Sequence, residues 1–312
     1  MSFRILQNGR LLPSIETTLA QDFDVHPLWQ EADPTAYLAA HGHEFVGLVT
    51  SARFGADAQL IQSLPNLKVI SSFGVGCETI AVETAKQRGI PIGYTPDVLN
   101  DCVADLAWGG LIDVARGMTE SDRFLRRGDW LKGQFRVSTR VSGNRLGVLG
   151  LGRIGRTIAK RGLGFDMEVR YHNRSPVPDA PYAFEASAIA LARWADFLVV
   201  ATAGGAQTNH LVSAEVLDAL GPQGYLINIS RGSVIDEQAL ITALAQHRIA
   251  GAALDVYEKE PVVPEAFLAL DNVVLLPHIS SATHETRQAM GDLTVANLKS
   301  FLQTGALITP IP

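Results

Sequence analysis

The stretch VLGLGRIGR, residues 148–156, places three glycines at the spacing G-x-G-x-x-G between an apolar run and a helical pattern. In a strand–turn–helix unit the first glycine permits a tight turn, the second lets the backbone approach a pyrophosphate, and the third lets the helix pack on the strand. The N–H groups at the start of the helix then face the phosphates. A structural turn of chance spacing is the alternative, but the flanking pattern favours dinucleotide binding. The expected contacts are Gly150, Leu151, Gly152, Arg153, Ile154 and Gly155.

Further apolar runs follow this turn, and helical patterns separate them. They predict a six-stranded, doubly wound parallel sheet, the size of a complete dinucleotide-binding domain. The predicted strands are LGVLG, MEVRYH, DFLVVA (196–201), YLINIS (225–230), IAGAALDV (249–256) and NVVLLP (272–277). A long helical pattern, THETRQAMGDLTVANLKSFLQTG, comes after the last strand.

The first hundred residues show the same alternation on a smaller scale. The runs FRIL, FVGLVT (45–50) and KVISSF (68–73) alternate with helical patterns, as expected for a parallel sheet. We expect a substrate domain of residues 1–99 and 284–312 around a cofactor domain of residues 100–283. The predicted fold class is α/β, with two Rossmann-like domains, of which the smaller is flavodoxin-like.

The second predicted strand runs into YHNRS, residues 171–175, where an NAD-dependent enzyme carries an acidic residue for the adenosine ribose. None of these five residues is acidic. Arg174 can form charge-assisted bonds to a 2′-phosphate, and Asn173 and Ser175 can donate neutral hydrogen bonds. The stretch predicts NADP(H) as the preferred cofactor, with NAD(H) used less efficiently. The alternative is an exposed arginine on a surface turn.

Three chemically competent side chains follow later strands of the same sheet: Arg231 in INISRGS, Glu260 in LDVYEKEP and His278 in LLPHISS. The carboxyl ends of parallel strands share one edge, so these side chains are expected to converge on one crevice. Reduction of a 2-keto acid needs a hydride from nicotinamide and a proton for the nascent alkoxide. A histidine suits the proton transfer, a carboxylate holds its ring, and an arginine polarises the carbonyl. We expect His278 as proton donor, Glu260 as its partner and Arg231 as substrate clamp.

Each of the three also has an ordinary structural interpretation. Arg231 could cap a helix or pair with a surface acid, Glu260 could be solvated in the charged run EKEP, and His278 could be a core histidine. Their joint placement behind the glycine turn favours catalysis. Further cofactor contacts are expected near the same strand ends, from Ala201, Thr202, Ile229, Asp255 and Ser280.

Composition argues against several other classes of protein. The chain of 312 residues has a formal net charge of −6, which argues against a nucleic-acid binder. No apolar run approaches the length of a membrane span, and the amino terminus lacks the apolar core of a secretory signal, so a cytoplasmic protein without membrane contact is expected. Cys77 and Cys102 show no metal-like spacing and are expected to be buried, reduced thiols, and no metal site is expected.

Over nearly its full length the chain resembles the D-isomer-specific 2-hydroxyacid dehydrogenases. GLGRIG, INISRGSVIDEQAL, GAALDVYEKEP, NVVLLPHISSAT and SSFGVG are typical segments of that family. NRS after the second strand, and HISSATHETR, are most similar to the glyoxylate/hydroxypyruvate reductase branch, which includes hydroxyphenylpyruvate reductases and favours NADPH. The resemblance implies the Arg–Glu–His set, a homodimer built largely through the cofactor domains, and closure of two domains over the substrate. It also implies that N–H groups of Val75 and Gly76 hold the substrate carboxylate.

Some positions depart from the family pattern. ATAGGAQT (201–208) lacks the proline that the family commonly has there, which leaves the shape of this loop open. Glu78 stands where Asp is more common, and it could affect the pocket. Arg53 could meet a distal polar group of the substrate or bind a surface acid. Trp130 could pack within the chain or reach the pocket of a neighbouring subunit.

Two hypotheses from different classes follow. The first is an NADPH-dependent reductase that converts 2-keto acids such as glyoxylate or hydroxypyruvate to D-2-hydroxy acids. The second is a non-catalytic scaffold of the same fold that senses NAD(P)(H). The acidic composition and the intact set of Arg231, Glu260 and His278 favour the enzyme.

Overall fold

A computed structural model describes residues 3–311, and the chain separates into two units. One unit comprises residues 1–99 and 283–312, and the other comprises residues 100–282. Each unit has its own parallel sheet and its own core.

The N-terminal unit is built on a five-stranded parallel sheet of order β2-β1-β3-β4-β5, which is the flavodoxin-like order that the sequence predicts. Its strands are β1 (Arg4–Gln7), β2 (Asp24–Pro27), β3 (Gly47–Ser51), β4 (Val69–Phe73) and β5 (Ile92–Gly93). The helices between them are α1 (Pro13–Asp22), α2 (Pro34–His41), α3 (Ala58–Gln62) and α4 (Val82–Gln87).

Two strands of this sheet, β2 and β5, do not follow from an apolar pattern in the sequence. β3 and β4 are buried along their whole length, because helices cover both faces of a parallel sheet. β2 is an edge strand with no buried residue, and β5 has only two residues. Neither presents the continuous apolar run by which β1, β3 and β4 are recognised.

The second unit is built on a seven-stranded parallel sheet of order β12-β11-β10-β9-β6-β7-β8. Two helices come first, α5 (Asn100–Arg116) and α6 (Met118–Arg126). The strands are β6 (Arg145–Leu149), β7 (Glu168–His172), β8 (Ala183–Phe184), β9 (Phe197–Val200), β10 (Tyr225–Asn228), β11 (Gly251–Leu254) and β12 (Val273–Leu275). The helices between them are α7 (Arg153–Gly162), α8 (Ala188–Trp194), α9 (Ala214–Leu220), α10 (Glu237–Ala245) and α11 (Glu265–Leu268).

The order of this sheet creates a switch point at β6. From β6 the chain moves outward to β7 and β8, and then it returns to the other side of β6 to form β9. The loops after β6 and β9 therefore leave the sheet in opposite directions and open a crevice at the carboxyl ends of the strands. Ligands of doubly wound sheets bind at such a crevice.

The predicted count of six strands in this sheet is wrong, because β8 was not foreseen. β8 has only two residues, Ala183 and Phe184, and neither is buried. It lies at the edge of the sheet and follows the proline-rich stretch SPVPDAP, so the sequence offers no apolar run there. The other six strands lie where the sequence predicts them.

The last helix, α12 (His284–Thr304), belongs to the first unit. The Ser71 hydroxyl of β4 donates a hydrogen bond to the Thr294 carbonyl of α12 at 2.8 Å. The buried Asn297 donates to the Tyr94 carbonyl at 3.2 Å. These contacts join the end of the chain to the N-terminal sheet.

Five short 3-10 segments complete the secondary structure of residues 3–311: Leu28–Gln30, Gly42–Glu44, Asp129–Leu131, Leu163–Phe165 and Gly232–Val234. None of the helices in that range is long and apolar enough to cross a membrane. Within the same range no three His, Cys, Asp or Glu side chains are grouped so that they could hold a metal ion. Cys77 and Cys102 form no disulfide, but both are partly exposed, so the prediction that they are buried is wrong.

Candidate active site

The three glycines of the turn after β6 differ in the space that is available for a side chain. Gly150 has a φ of +103°, and a Cβ there would lie 2.6 Å from the Thr202 nitrogen. A Cβ on Gly155 would lie 1.9 Å from the Gly150 carbonyl oxygen, so α7 can approach β6 only without a side chain. A Cβ on Gly152 would meet nothing within 4 Å. The fold thus requires the first and third glycines, whereas the second leaves open space at the start of α7.

Asn173, after β7, is joined to this turn. The Leu151 N–H donates to the Asn173 side-chain oxygen at 2.6 Å. The side-chain NH₂ of Asn173 is the part left to donate to a ligand. Arg174 and Ser175 are exposed beside it, and Arg174 donates a hydrogen bond to the side-chain oxygen of Gln207.

Glu260 and His278, from the loops after β11 and β12, form a direct pair. The Nδ1 atom of His278 lies 2.6 Å from Oε2 of Glu260. The other carboxylate oxygen, Oε1, accepts a hydrogen bond from the Tyr257 N–H at 3.1 Å. With Nδ1 directed at the carboxylate, Nε2 is the nitrogen of His278 through which a proton can be exchanged with a ligand.

The pKa of Glu260 lies below its ordinary value of 4.5. Partial burial opposes ionisation and is the largest single influence. The hydrogen bonds from His278 and the Tyr257 N–H, together with the positive charges of His278 and Arg231, outweigh it. The carboxylate is therefore ionised near neutral pH.

Arg231 lies in the loop that follows β10, and hydrogen bonds with a buried asparagine hold this loop in place. Asn228, only 1% exposed, donates to the Arg231 carbonyl at 3.1 Å and accepts from the Ser230 N–H at 3.0 Å. The Arg231 guanidinium donates to the Ser230 carbonyl at 2.7 Å. This loop places the Arg231 charge near Glu260, where it lowers the pKa of the carboxyl group.

The backbone of His278 adopts a left-handed conformation that Asp255 stabilises. His278 has a φ of +55°, which is unfavourable for a residue with a side chain. The two carboxylate oxygens of Asp255 accept from the Ile279 N–H at 2.7 Å and the Ser280 N–H at 2.8 Å. Asp255 is 1% exposed, so its visible role is to hold the loop that carries His278. Its predicted contact with the cofactor stays a prediction.

The other predicted cofactor residues lie at the same strand ends. Ile229 and Ser280 are buried, and Ala201 and Thr202 are partly exposed. Thr202 lies directly against Gly150, and the Ala201 N–H donates to the Leu149 carbonyl at 2.8 Å. The beginning of the loop after β9 therefore lies beside the glycine turn.

In the first unit, the predicted substrate residues follow neighbouring strands. Arg53, after β3, is exposed, and its guanidinium lies 5.7 Å from the centre of the Phe54 ring. Val75 and Gly76 follow β4, which pairs with β3. The preceding Gly74 has a φ of +140°, and its N–H donates to the Thr95 hydroxyl at 3.1 Å. Both loops thus leave the same edge of the sheet.

Comparison with known proteins identifies the family. The family model of the "D-isomer specific 2-hydroxyacid dehydrogenase, NAD binding domain" matches residues 108–280. Glyoxylate/hydroxypyruvate reductase A from Arabidopsis thaliana is 45% identical over 297 residues, which cover 95% of each protein. The chain belongs to the D-isomer specific 2-hydroxyacid dehydrogenase family. The resemblance stated from the sequence motifs is confirmed.

Two further relatives of this dehydrogenase carry related names. Hydroxyphenylpyruvate reductase from Plectranthus scutellarioides is 43% identical, with 95% of each chain covered. A crystal structure of an NADPH-dependent glyoxylate/hydroxypyruvate reductase from Sinorhizobium meliloti, in complex with NADP and malonate, is similar with a TM-score of 0.93 and 40% identity. That similarity covers 100% of this chain and 97% of the other.

The residues of this dehydrogenase fit the nicotinamide dinucleotide that its family uses. The open side of Gly152 lies at the start of α7, where free N–H groups and the helix dipole favour a pyrophosphate. Asn173 and Arg174 lie beside the turn, where the adenosine ribose of a dinucleotide is held. When bound, the dinucleotide supplies or accepts the hydride.

Three residues that shape the site were not foreseen: Asn228, Gly232 and Gln207. A Cβ on Gly232 would lie 1.9 Å from the Tyr257 carbonyl carbon, so this glycine lets the Arg231 loop contact the segment that leads to Glu260. The glycine after Arg231 was the only signal in the sequence for this contact. Asn228 is buried and holds the Arg231 loop, and Gln207 contacts Arg174 from a separate loop. Neither role produces a local pattern in the sequence by which it could be predicted.

Proposed function

We propose that this dehydrogenase reduces 2-keto acids, such as glyoxylate or hydroxypyruvate, to D-2-hydroxy acids with NADPH. The observation that carries the proposal is the 2.6 Å contact between His278 and Glu260, with the Arg231 charge acting on the same carboxylate. A histidine held by a carboxylate beside an arginine is the set of groups that protonation of a nascent alkoxide requires. The names of the relatives agree with this class of substrate.

His278 delivers the proton in the proposed reaction. Its Nδ1 is held by Glu260, so the proton passes from Nε2 to the carbonyl oxygen as that oxygen gains negative charge. The ionised Glu260 contacts Nδ1 and thereby fixes the orientation of the ring. Asp255 assists indirectly, because it holds the backbone on both sides of Ile279.

Arg231 binds the substrate and polarises it. A guanidinium can donate to a carboxylate and to a keto oxygen at once, and its charge becomes more favourable as the alkoxide develops. Val75 and Gly76 are proposed to donate backbone N–H groups to the substrate carboxylate. Arg53 is proposed to contact the distal part of the substrate.

The preference for NADPH over NADH rests on the loop after β7. Arg174 offers a positive charge, and Asn173 and Ser175 offer neutral donors, whereas residues 171–175 contain no acid to repel a 2′-phosphate. The relative from Sinorhizobium meliloti is named NADPH-dependent. NAD(H) is proposed to bind less tightly, because it lacks the phosphate that Arg174 would pair with.

A homodimer is proposed through the unit that carries the cofactor site. The segment 118–137 exposes several large apolar side chains, among them Leu131, which is 94% exposed, and Val137, which is 97% exposed. Trp130 is also exposed, so it does not pack within its own chain as one sequence interpretation expected. Apolar side chains concentrated in one exposed segment are typical of an interface.

A panel of purified-enzyme assays tests the proposed reaction. Glyoxylate, hydroxypyruvate, 2-ketogluconate and aryl pyruvates are each offered with NADPH and with NADH, and the loss of the reduced cofactor is followed. We expect turnover with at least one of these acids and a higher kcat/KM with NADPH. Tight binding of NADPH with no turnover of any 2-keto acid would contradict the proposal and match a non-catalytic scaffold. Cell fractionation with the same assay tests the predicted cytoplasmic location.

A further inference from the structure

The contact between Arg174 and Gln207 spans the loops on both sides of the glycine turn. Arg174 follows β7 and Gln207 lies in the loop after β9, and β6 lies between these two strands in the sheet. The Nη1 atom of Arg174 donates to the side-chain oxygen of Gln207. The contact therefore joins the carboxyl ends of two strands that are not neighbours.

The loop that carries Gln207 is itself fixed by hydrogen bonds. The Thr208 hydroxyl donates to the Ala203 carbonyl at 2.7 Å, and the Thr208 N–H donates to the Gly205 carbonyl at 3.0 Å. The His210 N–H donates to the Ser233 carbonyl at 2.8 Å. These bonds hold the segment 203–210 in a turn that presents Gln207 toward Arg174, without the proline that the family commonly has there.

The chemistry of the partner at position 207 decides what charge Arg174 keeps. An amide oxygen orients a guanidinium without neutralising it, whereas a carboxylate would cancel its charge. Across residues 3–311, Nε and Nη2 of Arg174 carry no hydrogen bond to protein, and the side chain is exposed. Two donor nitrogens, Nε and Nη2, and a full positive charge are thus left for a phosphate oxyanion.

We propose that Gln207 is a specificity-determining residue, which orients Arg174 for the 2′-phosphate of NADPH while leaving its charge uncompensated. The inference rests on the proposed NADPH preference and adds a second residue, on a different loop, to the recognition of the phosphate. Gln207 acts through Arg174. Because it restricts the rotamers of that long, exposed side chain before the ligand binds, it also lowers the conformational entropy lost on binding.

Calorimetric titration with two small probes measures this effect without turnover. Adenosine 2′,5′-bisphosphate and 5′-AMP differ only in the 2′-phosphate. For Gln207→Glu we expect the Kd of the bisphosphate to rise about tenfold or more, because the new carboxylate pairs with Arg174 and repels the phosphate. Binding of 5′-AMP should not change. Gln207→Leu, which keeps the charge of Arg174 but loses its anchor, should weaken the bisphosphate only a few-fold.

Gln223→Glu is the matched control. Gln223 is also exposed, but it lies between α9 and β10, at the amino-terminal edge of the strands. This variant adds the same charge to the same unit and should leave both Kd values unchanged. If the bisphosphate Kd rises as much in Gln223→Glu as in Gln207→Glu, the effect comes from net charge alone and the inference is overturned.

The remaining outcomes separate this inference from the proposed function. Failure of the wild-type protein to distinguish the two probes would remove the proposed NADPH preference, and the role of Gln207 with it. Discrimination in the wild type that survives Gln207→Glu would overturn only the role of Gln207. Tighter binding of the bisphosphate by Gln207→Leu would show that Gln207 competes with the phosphate, which also contradicts the inference.

Discussion

At the scale of single residues, Glu260 connects the parts of the candidate site. One of its oxygens contacts His278, the other accepts from the Tyr257 N–H, and the charge of Arg231 acts on the same group. These favourable contacts outweigh the burial that opposes ionisation, so the carboxylate keeps its negative charge. The orientation of the His278 ring depends on this group, which contacts Nδ1.

His278→Ala tests the proton donor. We expect kcat to fall by about 10²–10⁴-fold, the usual contribution of a general acid, while NADPH affinity stays close to that of the wild type. His247→Ala is the matched control, because His247 is exposed and has a φ of +54° against +55° for His278. Near-normal turnover in His278→Ala, measured by steady-state kinetics, would remove His278 from the mechanism.

Glu260→Gln tests the lowered pKa of that carboxyl group. A folded-state pKa below the ordinary 4.5 means that ionised Glu260 stabilises the protein above that value, and that this contribution is lost as the pH falls through the lower folded pKa. The difference in unfolding free energy between the wild type and Glu260→Gln should therefore narrow as the pH drops below about 4.5. Denaturant titrations across acidic pH measure it, and a difference that does not vary with pH would contradict the expectation.

At the scale of elements, glycines without room for a side chain bring the strand-end loops together. Gly155 lets α7 pack on β6, and Gly232 lets the Arg231 loop contact the Tyr257 segment. Gly152 differs from both because open space surrounds it. The same residue type therefore permits close packing at two positions, and at the third it leaves the space that the proposed approach of a pyrophosphate requires.

Gly152→Ala and Gly155→Ala separate these two roles. Gly155→Ala should destabilise the protein by about 1–3 kcal/mol, because the new methyl group overlaps the Gly150 carbonyl. Gly152→Ala should keep wild-type thermal stability within about 0.5 kcal/mol, since its φ of −79° suits alanine and nothing lies nearby. It should nevertheless weaken NADPH binding roughly tenfold or more, which corresponds to about 1.4 kcal/mol of clash. Wild-type NADPH affinity in Gly152→Ala would place the pyrophosphate elsewhere.

At the scale of the whole molecule, the chain folds into two units, and their parallel sheets differ in strand order. The flavodoxin-like sheet carries Arg53, Val75 and Gly76, and the seven-stranded sheet carries the glycine turn and the Arg–Glu–His set. In both sheets the predicted functional residues follow the carboxyl ends of strands, as expected for doubly wound folds. The segment 118–137, with its exposed apolar side chains, is the proposed surface for assembly.

Light scattering tests the proposed homodimer. The wild-type protein should have about twice the mass of the 33.6 kDa chain. Leu131→Asp should shift the population toward monomer, because it places a charge in the proposed apolar interface. Leu268→Asp is the control, since Leu268 is also exposed but lies on α11, outside the segment 118–137. A wild-type monomer, or equal effects of the two variants, would contradict this assignment.

The parts of the fold that follow from the sequence are those with local patterns. Long apolar runs predicted β6, β9, β10 and β11, and glycine spacing predicted the turn at Gly150. The edge strands β2, β5 and β8 escaped prediction, because β2 and β8 have no buried residue and β5 has only two residues, so none of them presents a long apolar run. Arg231, Glu260 and His278 were selected as candidates because their residue types and strand-end positions suit one reaction.

The linear sequence was enough to determine the α/β class, the glycine turn and the candidate residues, because these depend on spacing and residue type within short segments. Folding was needed to bring Nδ1 of His278 within 2.6 Å of Glu260 and to enclose Asp255 beneath the His278 loop. It also joined Arg174 to Gln207 across β6. Such contacts unite residues from separate loops, and hydrogen-bond distances follow from how the strands are ordered and packed, which no local pattern encodes.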